Sequence, residues 1–87
     1  MQKHLVNYDL YTPGKNYDDL IDAIKAYGYW AKICKSCWAI KSDDTDAQIR
    51  TNLKQYIDSN DRLFVCAFDG WASYGLPKEV AAWLKED

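Results

Sequence analysis

Asn7-Tyr8-Asp9 is the stretch of this chain whose residue types point most directly to chemistry. It places a carboxylate at the end of a strand pattern, beside the glycine-containing loop Tyr11-Thr12-Pro13-Gly14-Lys15-Asn16. One carboxylate is a poor magnesium site. Two copies of Asp9 meeting across a shared cleft could hold Mg2+, with water completing the octahedral shell. Such an ion orients water for attack on a phosphodiester and neutralises the charge that builds on the phosphate. Aspartate is also common at strand ends simply as an acceptor for loop amides, so Asp9 carries a chemical and a structural reading side by side.

Other candidates are weaker. Cys34-Lys35-Ser36-Cys37 has the two-residue gap of zinc and thiol-redox sites. Zinc wants about four ligands, and beyond this pair the chain offers Cys66 and His4. A redox pair normally opens a helix, where the dipole lowers the thiol pKa, whereas this pair falls in an extended pattern. Small, apolar, buried thiols are the expectation. His4 has no neighbour in sequence to orient it as a base, and a solvated histidine at the end of the first strand is expected. Lys32, Lys35 and Lys41, interleaved with Trp30 and Trp38, form a basic-aromatic stretch that could meet a phosphate backbone or stack bases. Lysines also protect edge strands from aggregation, and that plainer reading holds for the same residues. Lys15, Lys32 and Lys35 are the candidate nucleic-acid contacts. No nucleophile sits beside a recognisable base, and no phosphate-cradling glycine loop precedes a helix.

The elements that position these residues follow from periodicity. Residues 3–10 alternate as a strand, with His4, Val6, Tyr8 and Leu10 on one side and Leu5, Asn7 and Asp9 on the other. Pro13-Gly14 suits a turn. Asn16 can cap a helix whose first turn carries Asp18 and Asp19; Tyr17, Leu20, Ile21, Ile24 and Tyr27 form its apolar face, and Gly28 closes it. Between Tyr29 and Ser42 the pattern is extended, but Ile33 is out of phase with Trp38 and Ile40. A bulge or a tight turn near Lys35-Ser36 is therefore required. Thr45-Asp46-Ala47-Gln48 has capping-box spacing ahead of Ile49, Leu53, Tyr56 and Ile57. The strand Arg62 to Phe68 follows, then Gly70-Trp71-Ala72-Ser73-Tyr74-Gly75 as a loop or short edge strand. A last helix opens at Pro77 and runs through Glu86, with Val80, Ala81, Trp83 and Leu84 on its sticky face. The order predicts a single α+β domain over residues 1–87: a ferredoxin-like βαββαβ antiparallel sheet with two helices on one face and a short C-terminal helix.

The strand Arg62 to Phe68 is apolar on both faces, Phe64, Cys66 and Phe68 against Leu63, Val65 and Ala67. With two helices on one side, a second copy of the chain is the expected cover for the other. An 87-residue domain has little stability to spare, which also favours self-association. The 48% hydrophobic and 28% charged content marks a folded chain rather than a disordered one. A net charge of −2 argues against broad phosphate gripping and leaves room for a local basic patch or a metal ion. No apolar run approaches the roughly 18 residues of a membrane span, so no membrane partner is expected. Met1-Gln2-Lys3-His4 leads straight into a strand, and three cysteines in such a chain read as reduced thiols of a cytoplasmic protein.

The opening strand ending in Tyr8-Asp9, a first helix finishing in Tyr27-Gly28, the stretch Lys35-Ser36-Cys37-Trp38 and the Arg62 to Phe68 strand together resemble a known family. It is the small ferredoxin-like superfamily of the CRISPR-associated adaptation endonuclease, of which this would be an atypical short relative. The resemblance implies a homodimer sharing Asp9 as the metal ligand, with members that cut RNA or DNA and others that serve without catalysis. The chain departs from the pattern at Leu10-Tyr11-Thr12-Pro13-Gly14-Lys15, which lacks an arginine-rich helix start, and in its tryptophan-bearing C-terminal helix.

The expected function is a nucleic-acid-associated homodimer, with Mg2+-dependent phosphodiester hydrolysis through Asp9 as its catalytic form. A small toxin-like ribonuclease using another cleft is a further version. The alternative is a non-catalytic dimer that binds another protein through Trp71, Tyr74 and Trp83.

Overall fold

The computed structural model describes residues 1–12 and 17–86. The turn expected at Pro13-Gly14, the contact at Lys15 and the cap at Asn16 lie outside the described residues. The described elements run β1 (Gln2–Asp9), α1 (Asp18–Lys25), β2 (Trp30–Cys34), β3 (Cys37–Ser42), α2 (Asp46–Leu53), β4 (Arg62–Phe68) and α3 (Lys78–Lys85), with a 3-10 turn over Lys54–Tyr56. The chain is thus α+β, with a four-stranded antiparallel sheet in the order β2-β3-β1-β4.

Local chemistry explains most boundaries. Asp18 and Asp19 occupy the first turn of α1 and Lys25 its last, each sign complementing the helix dipole. Gly28 adopts φ +87°, a left-handed conformation that a Cβ disfavours, and turns the chain out of α1 toward β2. The capping box forms as expected: Gln48 N–H donates to Thr45 Oγ1 at 3.1 Å, and Thr45 N–H donates to Gln48 Oε1 at 2.8 Å. The phase conflict around Ile33 is resolved twice over. Lys35-Ser36 makes a two-residue turn, and the register shifts between Lys32 and Cys34, so that Lys32 faces Trp38 but Cys34 faces Cys37. The Gly70 to Gly75 stretch is a loop, and α3 is capped by Pro77 rather than beginning with it.

One face of the sheet carries the main core. Val6, Tyr8, Trp38 and Ile40 pack there with Leu20 and Ile24 of α1 and Ile49 and Leu53 of α2. Leu63 and Val65 of β4 join at its margin. His4 lies on this same face and is only 2% exposed, so the expected solvated histidine is corrected. Its Nδ1 is 2.7 Å from Asp46 Oδ1 and its Nε2 3.2 Å from the Ser42 carbonyl oxygen. Both neighbours are acceptors, so the buried ring is flanked by groups suited to N–H donors, the carboxylate at Nδ1 and the carbonyl at Nε2.

The opposite face is where expectation and structure diverge. It is not left bare for a second copy: α3 and the segment leading into it cover its β2-β3 side. Ala31 and Ala39 sit opposite one another in register and are both buried there, small enough to let the helix approach β2. Lys41, on the same face, is 5% exposed. Its ammonium donates to the Trp83 carbonyl oxygen at 3.1 Å and lies 4.3 Å from the Trp83 ring centroid. A cation at the C-terminal end of α3 meets a last-turn carbonyl, an indole ring and the negative end of the dipole. Cover ends toward the β1-β4 side, where Asn7, Asp9, Arg62 and Phe64 are exposed.

Candidate functional site

Asp9 is the last residue of β1 and stands exposed at one end of the sheet, on the face away from α1 and α2. Register places it opposite Arg62, and two pairs further in places Asn7 opposite Phe64. Phe64 is 60% exposed, a large apolar side chain in water at the centre of this strip. The strip forms one wall of a shallow groove of about 670 Å³ that also meets Asp61 and Leu63. Tyr8, the middle residue of the sequence constellation, belongs instead to the core, where its hydroxyl accepts from Trp38 Nε1 at 3.0 Å.

The Asp9 carboxylate is engaged by the residue two positions on: the Tyr11 hydroxyl donates to Asp9 Oδ2. That hydrogen bond, then partial burial and the Asp9 charge, raise the Tyr11 pKa above the usual phenol value; the Arg62 guanidinium, 5.8 Å from the Tyr11 ring centroid, opposes the rise. The stretch after β1 is tied to the loop before β4. Tyr11 N–H donates to Asp61 Oδ1 at 2.8 Å, Thr12 Oγ1 to Asp58 Oδ2 at 2.8 Å and the Tyr17 hydroxyl to Asp61 Oδ2 at 2.9 Å. Asp9, Asp58 and Asp61 thus bring three carboxylates to this end of the sheet, with Arg62 opposite Asp9 and with Arg50 and Lys54 lining a groove beside Asp58 and Asp61. Among the described residues no three His, Cys, Asp or Glu side chains converge to hold a metal ion. Among the described residues the groove meets two carboxylates, Asp9, bound to a phenol, and Asp61, bound to the Tyr11 amide and the Tyr17 hydroxyl.

The basic-aromatic stretch divides. Lys41 is withdrawn beneath α3, as described above. Lys32 remains exposed, with its ammonium 5.4 Å from the Trp38 ring centroid, and Lys35 is exposed in the β2-β3 turn. The Tyr8 N–H donates to the Ser36 carbonyl oxygen at 3.0 Å, which sets that turn at the same end of the sheet as Asp9. Sequence reasoning missed Lys25. This last-turn residue of α1 places its ammonium 5.0 Å from the Trp30 ring centroid and 6.0 Å from that of Trp38. Its position three residues ahead of Gly28, where the chain reverses into β2, was the available signal.

The three cysteines share the face that α3 partly covers. Cys34 and Cys37 face one another across the hairpin, and Cys66 lines an apolar groove of about 430 Å³ with Leu5, Ile33, Phe68, Trp71 and Leu84. Cys34 is exposed, so burial holds for only part of the set. Burial first, then the neighbouring Cys34 and Cys66, push the Cys37 thiol up, the reverse of what an activated nucleophile needs. Of the tail aromatics, Trp71 turns into this groove and Trp83 onto Lys41, leaving Tyr74 fully exposed.

No protein-family model matches the chain, and no solved structure matches it. No helix among the described residues is long and apolar enough to cross a membrane.

Proposed function

We propose that the protein is a cytoplasmic, nucleic-acid-associated homodimer of ferredoxin-like topology, whose copies meet through the strip of sheet around Phe64. The observation that carries this reading is the exposed strip at one end of the second face, where Asn7, Asp9 and Arg62 are exposed and Phe64 is 60% exposed. Exposed apolar surface on a small domain marks a contact surface. The ferredoxin-like reading is supported by the all-antiparallel order β2-β3-β1-β4, with α1 and α2 packed on one side. The CRISPR-associated adaptation superfamily remains the affiliation proposed on the sequence resemblance.

A two-fold axis near Phe64 brings both Asp9 carboxylates to the margin of the interface, since Asp9 and Phe64 lie on one face with their register pairs two steps apart. Phosphate is repelled by the carboxylates at this end of the sheet unless a divalent cation stands between, so nucleic-acid hydrolysis here is proposed only with Mg2+ shared by two Asp9 residues. Lys32 and Lys35 are the proposed phosphate contacts, and Lys15, six positions after Asp9 in the sequence, is proposed with them. A second reading, a protein-binding dimer without catalysis, is favoured by one observation: Tyr74 is fully exposed at the mouth of the apolar groove. Incubation of single- and double-stranded RNA and DNA with the protein, in magnesium and in chelator, separates them. Binding or cleavage supports the nucleic-acid reading, and neither, at any concentration where the dimer persists, favours the protein-binding one.

A further inference from the structure

Charge and aromatic surface converge at the free edge of β2. Trp38 is 2% exposed and anchors Trp30, their ring centroids 5.5 Å apart at 60°. Trp30 itself is 39% exposed, so it is fixed on its inner side and open on its outer one. Lys25 approaches from α1 and Lys32 from β2, each ammonium resting near an indole ring. Neither is ion-paired to a carboxylate among the described residues. Both ammonium groups thus lie within 6.0 Å of the buried Trp38 ring centroid, and Lys25 also lies beside the partly exposed Trp30, on a chain whose net charge is −2. A cation–π contact at a solvated site is weak, and a phosphate oxygen offers an ammonium a stronger partner.

We infer that Lys25, Trp30 and Lys32 form a binding surface for single-stranded nucleic acid, the two lysines taking consecutive phosphates while a base stacks on Trp30. Charge complementarity selects a polyanion, and the fixed indole selects an unpaired base over a carboxylate chain. Double-stranded nucleic acid keeps its bases stacked internally and gains nothing from Trp30. Phosphate draws Lys25 away from the ring and uncovers its face for the base. The inference rests on the nucleic-acid reading of the preceding section, and it adds Lys25 and Trp30 to the contacts proposed there.

The test is fluorescence anisotropy of labelled oligo-uridine and oligo-thymidine against the full chain. Lys25→Gln/Lys32→Gln keeps both side-chain stems, and Trp30→Leu keeps apolar bulk without the aromatic face. The double lysine variant is expected to weaken binding at least tenfold and to flatten the salt dependence by about 1.4 in log–log slope. Trp30→Leu is expected to weaken it about fivefold or more. Lys54→Gln/Lys78→Gln, which removes the same charge elsewhere, leaves affinity unchanged, and circular dichroism confirms that each variant is folded. Wild-type affinity in the Lys25/Lys32 variant overturns this surface while leaving nucleic-acid association intact. Absence of any oligonucleotide binding by the wild type overturns both. Equal competition by polyglutamate, with no effect of Trp30→Leu, shows a general polyanion patch and overturns the single-strand assignment.

Discussion

His4 of β1 and Asp46 in the first turn of α2 are 42 positions apart in sequence and share a 2.7 Å hydrogen bond inside the fold. The contact clamps the start of the central strand to the start of the helix that packs across it. Its other ring nitrogen faces the Ser42 carbonyl oxygen, so the imidazole leaves no buried polar atom without a partner. The Asp46 side chain is itself about half exposed, so removing the carboxylate takes away this hydrogen bond and lets water reach Nδ1 from that side. Asp46→Ala is expected to lower the unfolding free energy by about 1 kcal/mol in urea titrations, the net worth of one hydrogen bond that water can partly replace. A change below about 0.5 kcal/mol, the range of ordinary surface substitutions, would show that the pair contributes nothing.

Lys41 fastens α3 to the sheet by one hydrogen bond and one ring contact. Lys41→Met keeps the apolar stem and removes the charge. We expect a loss of about 2 kcal/mol, in the range for hydrogen bonds to charged groups, with faster amide exchange confined to α3. Uniform acceleration across the sheet would instead show that α3 and the sheet unfold as one unit.

Cys37 is expected to be a poor nucleophile. Its raised pKa leaves less thiolate at neutral pH than an ordinary thiol carries, and alkylation by iodoacetamide gains rate only as pH rises toward that higher value. The same sign governs stability: the folded state holds this proton more tightly, so the contribution is complete below the unfolded pKa and is lost as pH climbs through the folded one. A Cys37 alkylation rate above that of free cysteine at pH 7 would contradict the assignment and reopen a redox role for the Cys34-Cys37 pair.

Asp9→Asn separates chemistry from architecture. In the proposed Mg2+ site the hard anionic ligand disappears at nearly constant volume, so magnesium-dependent cleavage falls to background while the dimer persists. As an acceptor for the Tyr11 hydroxyl alone, Asp9 would lose a charge-assisted hydrogen bond at an exposed site, and Tm would drop slightly with cleavage unaffected. Cleavage rate and Tm measured on the same preparations decide between the two.

Features written into neighbouring residues were legible in the sequence. Gly28, the Thr45/Gln48 box and the phase conflict of Ile33 against Trp38 and Ile40 each concern a few adjacent positions, and each is found as read. The apolar face of α3 was equally legible, but its destination was not. That depends on Ala31 and Ala39 meeting in register and on Lys41 reaching the last turn, relations between elements that periodicity does not encode. His4 looked solvated for the same reason: its partner lies on another element. At the candidate site, Asp9 could be singled out as a strand-end carboxylate. Arg62 and Phe64 could not be placed beside it until β4 was known to pair with β1, and Lys25 could not be placed beside Trp30 until α1 had been packed on the sheet.

The central claim is a homodimer joined through the strip that α3 leaves open, and sedimentation equilibrium tests it most directly. At micromolar concentration the wild type is predicted to sediment at twice the 10.1 kDa chain mass. Phe64→Asp, which places a charge in the proposed interface without touching the main core, is predicted to sediment as a single chain with an unchanged far-ultraviolet circular dichroism spectrum. A wild type that remains monomeric well above micromolar concentration, or a Phe64→Asp variant that dimerises as tightly as the wild type, contradicts the account.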